Sequence, residues 1–210
     1  MRRIGVLGGT FDPIHYGHLV IACDARAYLD LEKVLFVPAY QPPHKPEGTY
    51  STFRHRTRML QLAIAGGCYF ELCLIEEERC GPSYTVDTLR DLQHREGPDT
   101  RIYFIIGMDS LADLPEWHNP EELIRHYRVV VAERAGYHLD LDALETRLPG
   151  LGGSLEGIDT PELSISSTDL QRRVQHGLPI RYQVPPSVER YILAHGLYRE
   201  DWSASEKGSP

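Results

Sequence analysis

Lysine is nearly missing from this chain. Of 22 basic residues only Lys33, Lys45 and Lys207 are lysines, and 30 acidic residues bring the formal charge to -8. A broad nucleic-acid surface needs clustered cations, so that class of partner is disfavoured, and any phosphate site must draw on a local source of positive charge. Long apolar runs are missing too: none approaches the length that crosses a bilayer. After Arg2-Arg3 the chain enters a strand pattern with no apolar signal core, and a cytoplasmic location is expected. The four cysteines, Cys23, Cys68, Cys73 and Cys80, form no Cys-x-x-Cys pair. Structural or free thiols are expected over a metal site with a histidine. No internal repeat, no P-loop lysine, no spaced dinucleotide glycine fingerprint and no carboxylate cluster for a dedicated metal cage is visible.

What is present is an ordinary globular composition, 41% apolar and 25% charged over 210 residues. That length fits one large domain, placed at residues 1–200, with a polar, poorly ordered tail at 201–210. Short apolar runs alternate with helical patterns. Strands are expected at Ile4–Leu7, Val34–Val37, Tyr69–Leu74, Ile102–Ile106 and Val129–Val131, with a further one near Leu155–Ile158 after the glycine-rich run 150–153. Helices are expected at Leu19–Leu29, Thr52–Ala65, Ser83–Arg95 with Ser83 as N-cap, Pro120–His126, Leu141–Leu148, and, closing the chain over about 167–198, at Ser167–His176 and Ser187–His195. Gly66-Gly67, Gly97-Pro98 and Gly196 supply stops. Such alternation predicts an α/β fold, a doubly wound parallel sheet covered on both faces, with ligands beyond the carboxyl ends of the strands.

The most informative stretch is Gly8-Gly9-Thr10-Phe11-Asp12-Pro13-Ile14-His15-Tyr16-Gly17-His18, between the first strand and the first helix. Glycines let a ligand approach the main chain, and a helix start offers unpaired N–H groups with a partial positive charge. His15 and His18 are three apart, so on a helix that has begun by His15 they share one face. An anion turn with two imidazoles points to phosphate chemistry, although a Gly-Gly turn alone is an ordinary turn and a lone histidine an ordinary surface or core residue.

Other stretches admit two readings each. Pro42-Pro43-His44-Lys45 is a stiff surface loop or a phosphate-facing one. Arg54 and Arg56 lie on a solvated helix face or near the site. Ser83-Tyr84-Thr85-Val86-Asp87-Thr88-Leu89 opens a helix. Asp109, after Gly107 and Met108, caps a helix or accepts from a ribose hydroxyl. Trp117, beside His118, is a satellite core residue or a stacking surface. Arg134 makes a surface ion pair or faces a nucleotide. Ser164-Ile165-Ser166-Ser167-Thr168 is a hydroxyl cluster at a helix start.

His15-Tyr16-Gly17-His18 matches the (His/Thr)-x-Gly-His signature of the nucleotidyltransferase superfamily, and the eleven residues from Gly8 to His18 resemble its bacterial nicotinate-nucleotide adenylyltransferase branch. Five motifs in the family's order extend the resemblance over roughly residues 4–198. It implies a Rossmann-like nucleotidyltransferase fold and a reaction of NAD biosynthesis, in which ATP and nicotinate mononucleotide give nicotinate adenine dinucleotide and pyrophosphate by direct in-line attack. His15 and His18 would be the catalytic pair. Gly8, Gly9, Thr10, Phe11, Gly17, Gly107, Asp109, Ser166, Ser167, Thr168 and Arg173 would join them in binding ATP. Thr10, His44, Lys45, Tyr84, Thr85, Trp117 and Arg134 would bind the mononucleotide, with Trp117 stacked on the pyridine ring. Acid-over-amide selectivity would lie at the Tyr84-Thr85 helix start, whose N–H donors favour a carboxylate. Mg2+ would ride on ATP, with no protein metal site. One position departs from the family's Ile-Ser-Ser-Thr-x-Ile-Arg run: Gln171 stands in place of the arginine, with Arg172 and Arg173 next. The alternatives are another adenylyltransferase of the superfamily, taking nicotinamide mononucleotide or pantetheine phosphate, and a catalytically silent nucleotide-binding protein. An oligomer is left open.

Overall fold

The computed structural model describes residues 1–43, 50–79, 81–133, 140–161 and 163–199. Its centre is a six-stranded sheet among the described residues. The strands are β1 (Arg2–Gly9), β2 (Lys33–Pro38), β3 (Phe70–Leu72), β4 (Thr100–Gly107), β5 (Arg128–Glu133) and β6 (Leu155–Asp159). Their spatial order is β3-β2-β1-β4-β5-β6 and each neighbouring pair is parallel. The doubly wound sheet expected from the alternation is the observed one.

Strand periodicity sends alternate residues to opposite faces. Val34, Phe36, Tyr103, Ile105 and Val130 join one buried cluster. Leu35, Val37, Ile102, Phe104, Ile106, Val129 and Val131 join the other. The first face is covered by α1 (Tyr16–Leu29), α2 (Phe53–Ile64), α8 (Ser167–Gln175) and α9 (Pro186–Ala194). The second is covered by α3 (Thr85–Glu96), α4 (Met108–Asp113), α5 (Pro120–His126), α6 (Leu141–Arg147) and α7 (Leu151–Ser154). Gly5 leaves room where β1 packs against β4 and the segment between α1 and β2: a Cβ there would sit 2.9 Å from Cδ1 of both Ile105 and Leu31, which are buried and would have to shift. Gly97 ends α3 at φ 87°, a left-handed angle that costs glycine little.

Two expectations need correction, and one open alternative, capping by Asp109, is ruled out. Ser83 does not cap α3. Its Oγ accepts from the Gln41 N–H at 3.0 Å and its own N–H donates to the Gln41 carbonyl, so the residue is tied to the segment after β2 and the helix begins at Thr85. Asp109 does not cap α4, because Gly107 holds the cap position and Asp109 lies in the first turn. The glycine-rich run after Leu148 is not plain loop before the last strand but contains the short helix α7. Cys23, Cys68 and Cys73 are free thiols. Cys80 and the tail lie outside the described residues.

The order of strands reverses between β1 and β4, each of which starts a run outward. Beyond the carboxyl ends of these two strands the helices of the two faces diverge and leave a cleft.

Candidate active site

A cavity of about 1000 Å³ opens at this switch point. Its floor is Gly8 and Gly9 at the end of β1, Thr10 just after it, and Ile106 and Gly107 at the end of β4, and its walls carry the starts of three helices: Gly17 and His18 of α1, Tyr84 and Thr85 at α3, and Ser166 and Ser167 at α8. Each start presents N–H groups without helical partners. Among the described lining residues no lysine or arginine appears, so helix ends and histidines are the described sources of positive potential.

The two histidines form one unit. His15 is buried and its ring lies 3.7 Å from that of His18, centroid to centroid, at 31°. The backbone N–H of His15 donates to His18 Nδ1 at 3.3 Å. With Nδ1 accepting, the neutral His18 ring carries its proton on Nε2 and is a donor there. Burial, and then the neighbouring His15, hold the His18 pKa well below its ordinary value. His18 is therefore an uncharged donor at neutral pH until an anion arrives, and the anion itself favours the charged ring.

The glycine between them serves His15. A Cβ on Gly17 would lie 3.0 Å from both Cε1 and Nδ1 of the His15 ring, closer than the ring could tolerate without moving. Phe11, at φ 51°, turns its ring inward beneath the turn, 5.1 Å from His18 and 5.9 Å from Phe36. It supports the site from behind and does not line the cavity.

On the far side of the cavity, Trp117 stands edge-to-face with Phe104 at 6.0 Å, and Tyr84 stacks on His118 at 4.2 Å and 24°. A flat aromatic wall thus adjoins the start of α3, where backbone donors converge. This combination suits a planar ring that carries a negative substituent.

Residues 6–173 match the cytidylyltransferase-like family model. A probable nicotinate-nucleotide adenylyltransferase of Thermomicrobium roseum is 45% identical over 199 residues, covering 95% of this chain and 92% of its own. One from Roseiflexus sp. is 49% identical over 196 residues, covering 93% and 98%. The chain belongs to the nicotinate-nucleotide adenylyltransferase family. A solved nicotinic acid mononucleotide adenylyltransferase of Plasmodium falciparum, complexed with APC, superposes with a TM-score of 0.77 at 22% identity, covering 94% of this chain and 98% of its own. At that identity the likeness is one of fold.

Most residues singled out from the family's motifs meet at this one cavity: Gly8, Gly9, Thr10, His15, Gly17, His18, Tyr84, Thr85, Gly107, Asp109, Trp117, Ser166 and Ser167 all line it. Thr168 is exposed and does not line it, and Arg173 donates through Nε and Nη2 to the Pro179 carbonyl at 3.0 and 2.9 Å. His44, Lys45 and Arg134 lie outside the described residues.

The sequence leaves Arg56 open between two readings and marks no role for Asp12 or Glu76, yet these residues hold the site together. Arg56 is not on a solvated face: it is 0% exposed. Its guanidinium donates to the carbonyls of Ser51 (3.0 Å), Thr10 (3.0 Å), Ala39 (2.7 Å) and Tyr40 (3.4 Å), tying the glycine turn to the segments that flank the cavity. Its one sequence signal is position: Arg56, Met59 and Leu60 share a helix face by i, i+3, i+4 spacing, and that face is buried. Asp12, 1% exposed, accepts from the Ser51 N–H at 2.9 Å, the Tyr198 hydroxyl at 2.6 Å and Gln171 Nε2 at 3.1 Å. Glu76 lines the cavity and is held by the Tyr40 N–H and the Thr88 hydroxyl.

Proposed function

We infer that the protein transfers the adenylyl group of ATP to nicotinate mononucleotide, giving nicotinate adenine dinucleotide and pyrophosphate. The observation that carries this reading is the meeting, in one cavity of a chain of this family, of the stacked His15–His18 pair, three helix starts and an aromatic wall.

A phosphate oxygen of the mononucleotide attacks the α-phosphorus of ATP. The bond from that phosphorus to the bridging oxygen breaks, and pyrophosphate leaves with the electron pair. No enzyme nucleophile is needed, so the protein contributes positioning and charge stabilisation. His18 Nε2–H, with His15 beside it and the α1 start behind, donates to the α- and β-phosphate oxygens. Thr10 and the Gly8–Thr10 backbone, with Gly17 leaving room for His15 and Phe11 supporting the turn from behind, hold the phosphates. Gly107 and Asp109 meet the ribose, and Ser166 and Ser167 at the head of α8 serve the triphosphate end, a role that Thr168, turned away from the cavity, and Arg173, held by the Pro179 carbonyl, do not share. Tyr84, Thr85 and Trp117 receive the nicotinate ring and its carboxylate, and Lys45, His44 and Arg134 its phosphate. Among the described residues no group of three or more His, Cys, Asp or Glu converges on a metal position. Mg2+ enters as part of the ATP substrate, bound by phosphate oxygens and water, and lowers their negative charge. Residues 1–200 act as one nucleotidyltransferase domain, and the reaction is placed in the cytoplasm. Among the described residues no helix is long and apolar enough to cross a membrane.

The test is pyrophosphate release with ATP and each of nicotinate mononucleotide, nicotinamide mononucleotide and pantetheine phosphate. The highest kcat/KM is expected with nicotinate mononucleotide. Faster turnover of pantetheine phosphate, or ATP binding by calorimetry without turnover of any acceptor, would overturn the reading.

A further inference from the structure

Helix α8 grips the glycine turn at two consecutive residues. Ser167 Oγ donates to the Pro13 carbonyl at 2.9 Å. Gln171 Nε2 donates to the Asp12 carbonyl at 2.6 Å and to Asp12 Oδ2 at 3.1 Å. Residues 167 and 171 are one helical turn apart and so present both donors from one face. Leu170 beside them is fully buried in the core, which fixes the helix laterally. The Asp12 carboxylate that receives this grip is itself held by the Tyr198 hydroxyl on Oδ1 and by the Ser51 N–H on Oδ2. Asp12 therefore joins the glycine turn, the approach to α2, helix α8 and the turn after α9.

Both N–H groups of the Gln171 amide are used in this grip. The arginines that follow do not share it. Arg172 Nη2 pairs with Asp169 Oδ1 at 2.6 Å, and Arg173 is engaged with the Pro179 carbonyl. Neither is among the residues lining the cavity, whereas Ser166 and Ser167 at the head of the same helix are.

We propose that Gln171 is a positioning residue for the triphosphate of ATP. Its amide clasps the Asp12 carbonyl and carboxylate, and so sets the first turn of α8, with the Ser166 and Ser167 hydroxyls, in register with the glycine turn and the His15–His18 pair. Gln171 does not itself face the nucleotide. Where the family's run carries an arginine, this chain uses a neutral clasp, and α8 meets phosphate through N–H groups and hydroxyls that are fixed in place beforehand. The inference rests on reading the cavity as the ATP site.

The decisive variant is Gln171→Met, which keeps the length of the side chain and removes both donors. It is expected to raise KM for ATP roughly tenfold, the scale of losing one hydrogen bond to a charged acceptor, while KM for nicotinate mononucleotide stays within about twofold. An unchanged KM for ATP overturns the proposal. So does an equal rise in both KM values, which would mark a general loss of structure. Should Gln171→Met fail to fold, Gln171→Arg carries the test, since it keeps an N–H donor of sufficient reach. Its KM for ATP is expected within about threefold of the unsubstituted protein, and a decrease of about tenfold or more would mean that position 171 faces phosphate directly, overturning the positioning role. The unsubstituted protein in the same assay separates the two readings. If it fails to turn over, the proposed function falls and this inference with it. If it turns over and the variants behave against expectation, the inference alone falls.

Discussion

Replacing Arg56 with methionine should damage this protein more than any other change to a charged residue described above. The side chain is 0% exposed, and its guanidinium serves four carbonyl oxygens on two separate segments besides the glycine turn. It also lies in the field of the buried Asp12 carboxylate. Methionine fills much of the volume but leaves the Ser51, Thr10, Ala39 and Tyr40 carbonyls without this donor and Asp12 without its nearby cation. Removing one member of a buried charge arrangement costs about 3–5 kcal/mol, and each carbonyl left unsatisfied about 1–3 kcal/mol before the backbone relaxes. These terms overlap, so about 3–5 kcal/mol is the expected total, a large share of the roughly 5–15 kcal/mol that holds a typical native state. For a chain of this size each kcal/mol shifts Tm by about 2–4 °C, so a fall of roughly 6–20 °C is expected in a calorimetric or fluorescence melt. Arg54, exposed on the same helix, supplies the comparison: Arg54→Met should change stability by no more than about 0.5 kcal/mol. A loss of less than about 3 °C for Arg56→Met, or equal losses for both variants, would refute the view that Arg56 anchors the turn.

His18→Ala should lower kcat at least about a hundredfold with the fold intact, as for loss of one donor to a developing charge, and a near-normal kcat would remove His18 from the mechanism. Trp117→Ala should raise KM for nicotinate mononucleotide much more than KM for ATP, and equal changes would exclude stacking on the pyridine ring. Because the folded pKa of His18 lies well below its ordinary 6.5, the unfolded chain binds this proton first. Stability from that group is present above about pH 6.5 and is lost as pH falls toward the folded value. Urea unfolding across that range should show the decline, and His18→Gln should flatten it. An identical pH profile for the variant would refute the assignment.

Local signals in the chain were strong because strands and helices answer to periodicity. The runs Val34–Val37 and Ile102–Ile106 lie inside strands, and Gly97 and Gly196 end helices at positive φ. Ser83 shows where local reasoning fails. A serine before a helical pattern is a good cap, but the unpaired Gln41 N–H of a segment 42 residues earlier competes for the same oxygen and takes it. The glycine-rich run that forms α7 fails for the opposite reason, since packing of Leu151 into the core overrides a poor helix propensity.

The sequence by itself determined the alternating architecture, the anion turn with its two histidines, and the family that those motifs denote. Each depends on residues close together in the chain, where periodicity, turn chemistry and spacing operate. Only the tertiary structure decided what holds the turn in place. The carboxylate of Asp12 meets Gln171 and Tyr198 across separations of 159 and 186 residues, and the buried Arg56 reaches Thr10 across 46. Those contacts have no local pattern, because a hydrogen bond depends on where folding delivers its two partners.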